Sequence, residues 1–133
     1  MTLVVDASAL AEFLVGSPRG VAVASALARD PQRHLPHLAI VETMSVMRRW
    51  ARTGQVTEPR ARAALTDLAD FPASRWSIEP LLPRIWELRD NLSAYDASYV
   101  ALAEALEATL LTADARLERA LRGVSDCMIE LIS

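Results

Sequence analysis

Two short runs of β-branched and leucine residues, Thr2–Val5 and Thr109–Leu111, each lead into an aspartate, Asp6 and Asp114. Runs of this kind read as strands buried on both faces, the signature of a parallel sheet. Parallel strands need crossover connections, usually helical. The intervening sequence supplies them. Ala7–Val15 reads as a helix stopped by Gly16-Ser17-Pro18, and Ala-rich Arg19–Arg29 as a second one ending at Asp30-Pro31. His34–Pro36 reads as a short strand, Leu38–Arg52 as a long helix closed by Thr53-Gly54. Thr57 and Pro59 start a helix that reaches about Asp70. Arg75–Ile78 is expected as a strand, and Leu81–Asn91 as a helix with Pro83 in its first turn. A helix from Ser93 to about Glu107, a short one at Ala115–Leu121 and a strand at Cys127–Leu131 complete the chain. The expected fold is α/β, one domain over residues 1–133, with a short, mainly parallel central sheet flanked by helices. In such sheets ligands bind beyond the carboxyl ends of the strands.

Composition narrows the chemistry. All 14 bases are arginine, and there is no lysine. That excludes a P-loop, a Schiff-base enzyme and a phosphorylated receiver domain, each of which needs a lysine. The net charge of -3 argues against a general basic surface for nucleic acid. A lone Cys127 cannot form an internal disulfide. Asp6 and Glu12 interrupt the first apolar stretch, and no run is long enough to span a bilayer, so a cytoplasmic location is expected.

Four acids remain to be explained. Asp6 and Asp114 sit where helices start, so each is either an N-cap or a functional group at a strand end. Asp96 lies three residues after Ser93, the spacing of a capping box. It also projects from the first turn of an otherwise apolar helix. Glu42 lies in Leu38-Ala39-Ile40-Val41-Glu42-Thr43-Met44, so apolar that the helix is expected to be largely buried. An unpaired carboxylate there costs on the order of several kcal/mol or takes up a proton. An arginine or a metal ion is its expected partner. Four acids on separate segments suggest an oxygen-ligand site for Mg²⁺ or Mn²⁺ rather than zinc. His34 and His37 lack the spacing of ligands on one helix face and read as loop or surface residues.

Taken in order, these blocks resemble the PIN-domain ribonucleases, most closely the VapC toxins of type II toxin–antitoxin pairs. The resemblance covers the whole chain. It rests on Val4-Val5-Asp6-Ala7-Ser8-Ala9-Leu10, on Glu42 in its apolar helix, on Ser93-Ala94-Tyr95-Asp96-Ala97-Ser98-Tyr99-Val100 and on Leu110-Leu111-Thr112-Ala113-Asp114. It implies that Asp6, Glu42, Asp96 and Asp114 form an acidic tetrad holding Mg²⁺ or Mn²⁺. It implies Ser8 and Thr112 as polar neighbours of the acids. It further implies cleavage of RNA, a VapB-like antitoxin partner and a homodimer. One departure is Ser45, where the family often has asparagine three residues after the helix glutamate. A PIN nuclease of RNA maturation and a catalytically inactive PIN-like binding module are the alternatives.

The remaining expectations concern contacts. Arg48, Arg49 and Arg52 sit at a helix end that favours positive charge, with RNA contact as the alternative. Arg116, Arg119 and Arg122 recur every three residues after Asp114, and Arg116 and Arg119 are candidates to meet RNA phosphate or antitoxin. On the resemblance, Leu10, Phe13 and Leu14 are candidate antitoxin contacts. Trp50 and Phe13 read as core or groove, and Trp76 and Trp86 read as core.

Overall fold

The computed structural model describes residues 2–133. Its strands are β1 (Thr2–Val5), β2 (Gln32–Pro36), β3 (Ser74–Trp76), β4 (Thr109–Thr112) and β5 (Ile129–Leu131). They form a single sheet in the order β3-β2-β1-β4-β5. Every pairing is parallel, with Val4 of β1 set between His34 of β2 and Leu110 of β4. The helices are α1 (Ala7–Val15), α2 (Pro18–Arg29), α3 (Leu38–Arg52), α4 (Glu58–Ala69), α5 (Leu82–Glu87), α6 (Ala94–Leu106) and α7 (Ala115–Leu121).

The chain first moves from β1 outward to β3, then returns to β4 on the other side of β1. Passages in opposite directions lie on opposite faces when each crossover is right-handed. The α1–α4 group accordingly packs together, while α6 lies across β1, β2 and β4. The direction of winding reverses between β1 and β4, and such a switch point leaves a crevice at the carboxyl ends of the strands. Asp6 follows β1, and Asp114 follows β4 by two residues. The first turns of α3 and α6 come to the same edge, because each helix runs back against the strands.

Three expectations need correction. The segment expected as one helix over Leu81–Asn91 is a 3-10 turn at Glu79–Leu81 followed by the short α5. Pro80 and Pro83 lie in the first turns of these two pieces, and the Leu88 amide is shared between the Arg84 and Ile85 carbonyls, which tightens the end. Trp76 and Trp86 are not core residues, being 39% and 66% exposed. β3 is an edge strand paired with β2, and there the Trp76 indole N–H donates to His34 Nδ1 at 2.9 Å. The brief α5 turns Ile85 inward and leaves Trp86 outside under the Arg89 guanidinium, 4.4 Å from the ring centroid. The third concerns α3. Only Ala39, Thr43 and Met47 are buried, and Val41 and Met44 are 68% and 51% exposed. The helix is amphipathic rather than sunk in the core.

α1 and α2 turn through 108° within a few residues. Gly16 allows this with φ 70, its amide satisfying the Glu12 and Phe13 carbonyls. Gly20 then lets α2 press onto α1, since a Cβ there would stand 2.1 Å from the Glu12 carbonyl oxygen. Gly20→Ala is therefore expected to destabilise the fold by about 1–3 kcal/mol, read from urea denaturation midpoints. An unchanged midpoint would show that the two helices separate without penalty.

Candidate active site

Asp6 is 5% exposed at the end of the central strand. Its Oδ1 accepts from the Ala9 amide at 3.0 Å and from Ser8 Oγ at 2.6 Å, and its Oδ2 accepts from the Thr112 hydroxyl. It caps α1 and also lines a cavity. Ser8 and Thr112 tie the two strand ends to each other: their hydroxyls lie 3.2 Å apart, and Ser8 Oγ accepts from the Ala113 amide at 2.9 Å. Thr112 Oγ1 also accepts from the Asp114 amide at 3.0 Å. Asp114 in turn caps α7, accepting from the Arg116 amide at 2.9 Å.

Asp96 and Glu42 arrive from helices. Ser93 caps α6 by accepting from the Asp96 amide at 3.1 Å, and the Asp96 carboxylate lines the cavity. Glu42 lies in the second turn of α3 and accepts from the Tyr99 hydroxyl at 2.6 Å. Asp6, Glu42, Asp96 and Asp114 all line one cavity of about 400 Å³. A larger cavity, about 800 Å³, opens at the other edge of the sheet beside Thr109. There Arg84 and Glu104 pair with each other through bonds of 2.7 and 2.9 Å.

The acids feel their confinement. Burial outweighs the hydrogen bonds at Asp6 and raises its pKa to about 6, with Asp114 adding repulsion. Burial also raises Glu42, which Asp96 pushes further up. Asp96 is raised by burial and by Asp114, and Arg116 partly offsets this. Burial and the nearby Glu42 carboxylate hold the Tyr99 phenol in its protonated form.

Arg19, Arg49 and Arg116 line the same cavity. Arg116 Nε stands 3.6 Å from Asp114 Oδ1. Arg19 donates to the carbonyls of Ala113 and Ile132, the latter at 3.1 Å, and so braces the turn that carries Asp114. Arg119 is exposed and outside the cavity, and Arg122 is engaged with Glu118 at 2.9 Å. Leu10, expected as a partner contact, is fully buried, and Leu14 is 5% exposed. α1 turns that face into the core, so neither reaches a partner. Phe13 is partly covered and meets Phe71 edge-on at 5.9 Å. Trp50 stands on the cavity wall, and neither histidine does. Sequence reading missed Tyr99 as a partner of Glu42, and Arg19 altogether. A signal existed for Tyr99: it follows Asp96 by three residues and so shares its helix face.

Among the described residues no three His, Cys, Asp or Glu side chains are grouped closely enough to hold a metal ion. A hard cation does not require a closed cage, since Mg²⁺ is held by one or two carboxylates and keeps several waters. The donor set is all oxygen, its carboxyls repel one another, and the cavity has room between them. By donor type the carboxyls of Asp6, Glu42, Asp96 and Asp114 suit a hard, oxygen-seeking cation such as Mg²⁺ or Mn²⁺.

Comparison with known proteins agrees with this fold. The PIN domain family profile matches residues 3–122. Ribonuclease VapC9 of Mycobacterium tuberculosis is 42% identical over 132 residues, covering 98% of both chains. Ribonuclease VapC1 of the same species is 39% identical over 118 residues, 88% of this chain and 89% of that one. Among solved structures, VapBC2 from Rickettsia felis, bound to a DNA fragment from its promoter, superposes with a TM-score of 0.70 at 12% identity over the full length of both chains. The chain belongs to the PIN-domain family, among its VapC ribonucleases.

Proposed function

We propose that this protein is a metal-dependent endoribonuclease and the toxin of a toxin–antitoxin pair. The observation that carries the reading is the convergence of Asp6, Glu42, Asp96 and Asp114 on one arginine-rimmed cavity at the switch point of a parallel sheet. The names of the VapC relatives support RNA as the substrate and hydrolysis as the reaction. The VapBC2 neighbour supports a VapB-like antitoxin as partner. A cytoplasmic location and a homodimer belong to the same reading. Exposed Val41 and Met44 supply apolar surface of the kind covered on association. Among the described residues no single helix is long and apolar enough to cross a membrane.

When bound, Mg²⁺ or Mn²⁺ lowers the pKa of a coordinated water and neutralises charge on the phosphate. The chain supplies the rest. Ser8, Thr112 and the Ala9 amide hold the Asp6 carboxylate in one orientation. Arg49 and Arg116 line the cavity from α3 and α7, and guanidinium groups there would suit phosphate oxygens. A carboxylate left free of the ion orients water by accepting its proton.

RNA cleavage is expected with Mg²⁺ or Mn²⁺ and lost in EDTA. Asn caps helices as well as Asp, so Asp6→Asn should fold. It is expected to cut RNA at least about a hundredfold more slowly, beyond the effect of losing an outer-shell partner. Equal cleavage in EDTA, or full activity of Asp6→Asn, sinks the proposal. Induced expression should arrest bacterial growth for wild type and not for Asp6→Asn. Cleavage without arrest would point to RNA maturation instead.

The pH dependence has a definite sign. Asp6 rises from 3.8 to about 6 in the fold, so the folded chain holds that proton more tightly than the unfolded one. Its contribution to stability is full below about pH 4 and is lost as pH rises through 6. Without metal, wild type should lose roughly 3 kcal/mol relative to Asp6→Asn between pH 4 and 7, and Mn²⁺ should restore it at pH 7. A pH-independent difference in urea denaturation would contradict this.

A further inference from the structure

Glu42 is held neither by arginine nor by its own helix. Among the described residues no ion pair includes it, and the Tyr99 hydroxyl donating to Oε1 at 2.6 Å is its side-chain hydrogen bond. α3 packs on α1, α4 and β2, whereas α6 packs on α5 and on β1, β2 and β4. The Tyr99–Glu42 bond therefore spans two helices that share β2 but otherwise rest on different neighbours. Around Glu42, Val41 and Met44 are exposed, so packing on α3 does little to fix its carboxylate. Tyr99 is the opposite case: it is 1% exposed and clamped within a helix whose residues 97–103 are all buried. Asp96 stands three residues before it on the same helix face. One rigid helix thus carries a site carboxylate and the strut that sets the distance to another.

We infer that Tyr99 is a positioning residue, which anchors Oε1 of Glu42 and leaves Oε2 for the cation of the cavity. The inference rests on the metal-dependent reading above. Tyr99 acts through Glu42 and touches no reacting atom.

The test is calorimetric titration of the metal-free protein with Mn²⁺, without RNA. Tyr99→Phe, which keeps the ring and removes the donor, is expected to weaken Mn²⁺ affinity about 10- to 100-fold. In a Glu42→Gln background it should weaken affinity no further, because the strut has lost its load. With RNA, kcat should fall and KM stay level. Unchanged Mn²⁺ affinity of Tyr99→Phe, or losses that simply add in the double variant, overturn the inference. If Tyr99→Phe does not fold, Glu42→Asp replaces it, since the shorter side chain cannot reach the phenol. It should lose affinity to the same degree, and full affinity there overturns the inference equally. Wild type that binds no Mn²⁺ refutes the metal-dependent reading itself. Wild type that binds and cleaves while Tyr99→Phe matches it refutes only the role of Tyr99.

Discussion

Everything at this site depends on the desolvation of Asp6. A carboxylate 5% exposed at the end of the central strand is expensive in its charged form. The local structure is organised around that penalty. Ala9, Ser8 and Thr112 all donate to it, α1 begins on it, and the hydroxyls of Ser8 and Thr112 join the turn after β1 to the turn after β4. Burial still outweighs these bonds and lifts the pKa to about 6. A positively charged partner would favour the ionised form of such a carboxylate. A divalent ion is that partner in the present account.

The sheet delivers the other acids by topology. Reversal of winding between β1 and β4 opens the crevice, and helices that run back against the strands bring Glu42 and Asp96 to the same edge. Setting the four aside leaves 13 of the 17 acids against 14 arginines. The net charge of -3 therefore describes an acidic pocket within an otherwise balanced protein, with Arg19, Arg49 and Arg116 at the pocket itself. It does not argue against a nucleic-acid substrate, as composition taken alone had suggested.

Asp6 and Asp114 were legible in the sequence because an acid at the end of a buried strand is costly unless a helix terminus or a ligand receives it. Glu42 was found by a faulty route. Its apolar neighbours imply a buried helix, yet Val41 and Met44 face outward and Glu42 itself is only partly buried. The hydrogen bond from Tyr99 depends on how α3 sits against α6, and no local pattern encodes that distance. The same limit explains Trp76, Trp86 and Leu10. Side-chain type suggested core for the tryptophans, and the resemblance suggested surface for the leucine. The edge position of β3, the shortness of α5 and the rotation of α1 decided otherwise.

The most direct test of the account is the number of protons released when the metal-free protein binds Mn²⁺, obtained from binding heats in buffers of different ionisation enthalpy. The Asp6 carboxyl, raised to about 6, is partly protonated at pH 6 and must give up its proton to the ion, whereas at pH 8 it has none to give. The acidic site is expected to bind Mn²⁺ saturably with proton release at pH 6, with release that vanishes by pH 8, and with binding lost in Asp6→Asn. Absence of binding, or binding in Asp6→Asn with unchanged affinity and proton release, would contradict it.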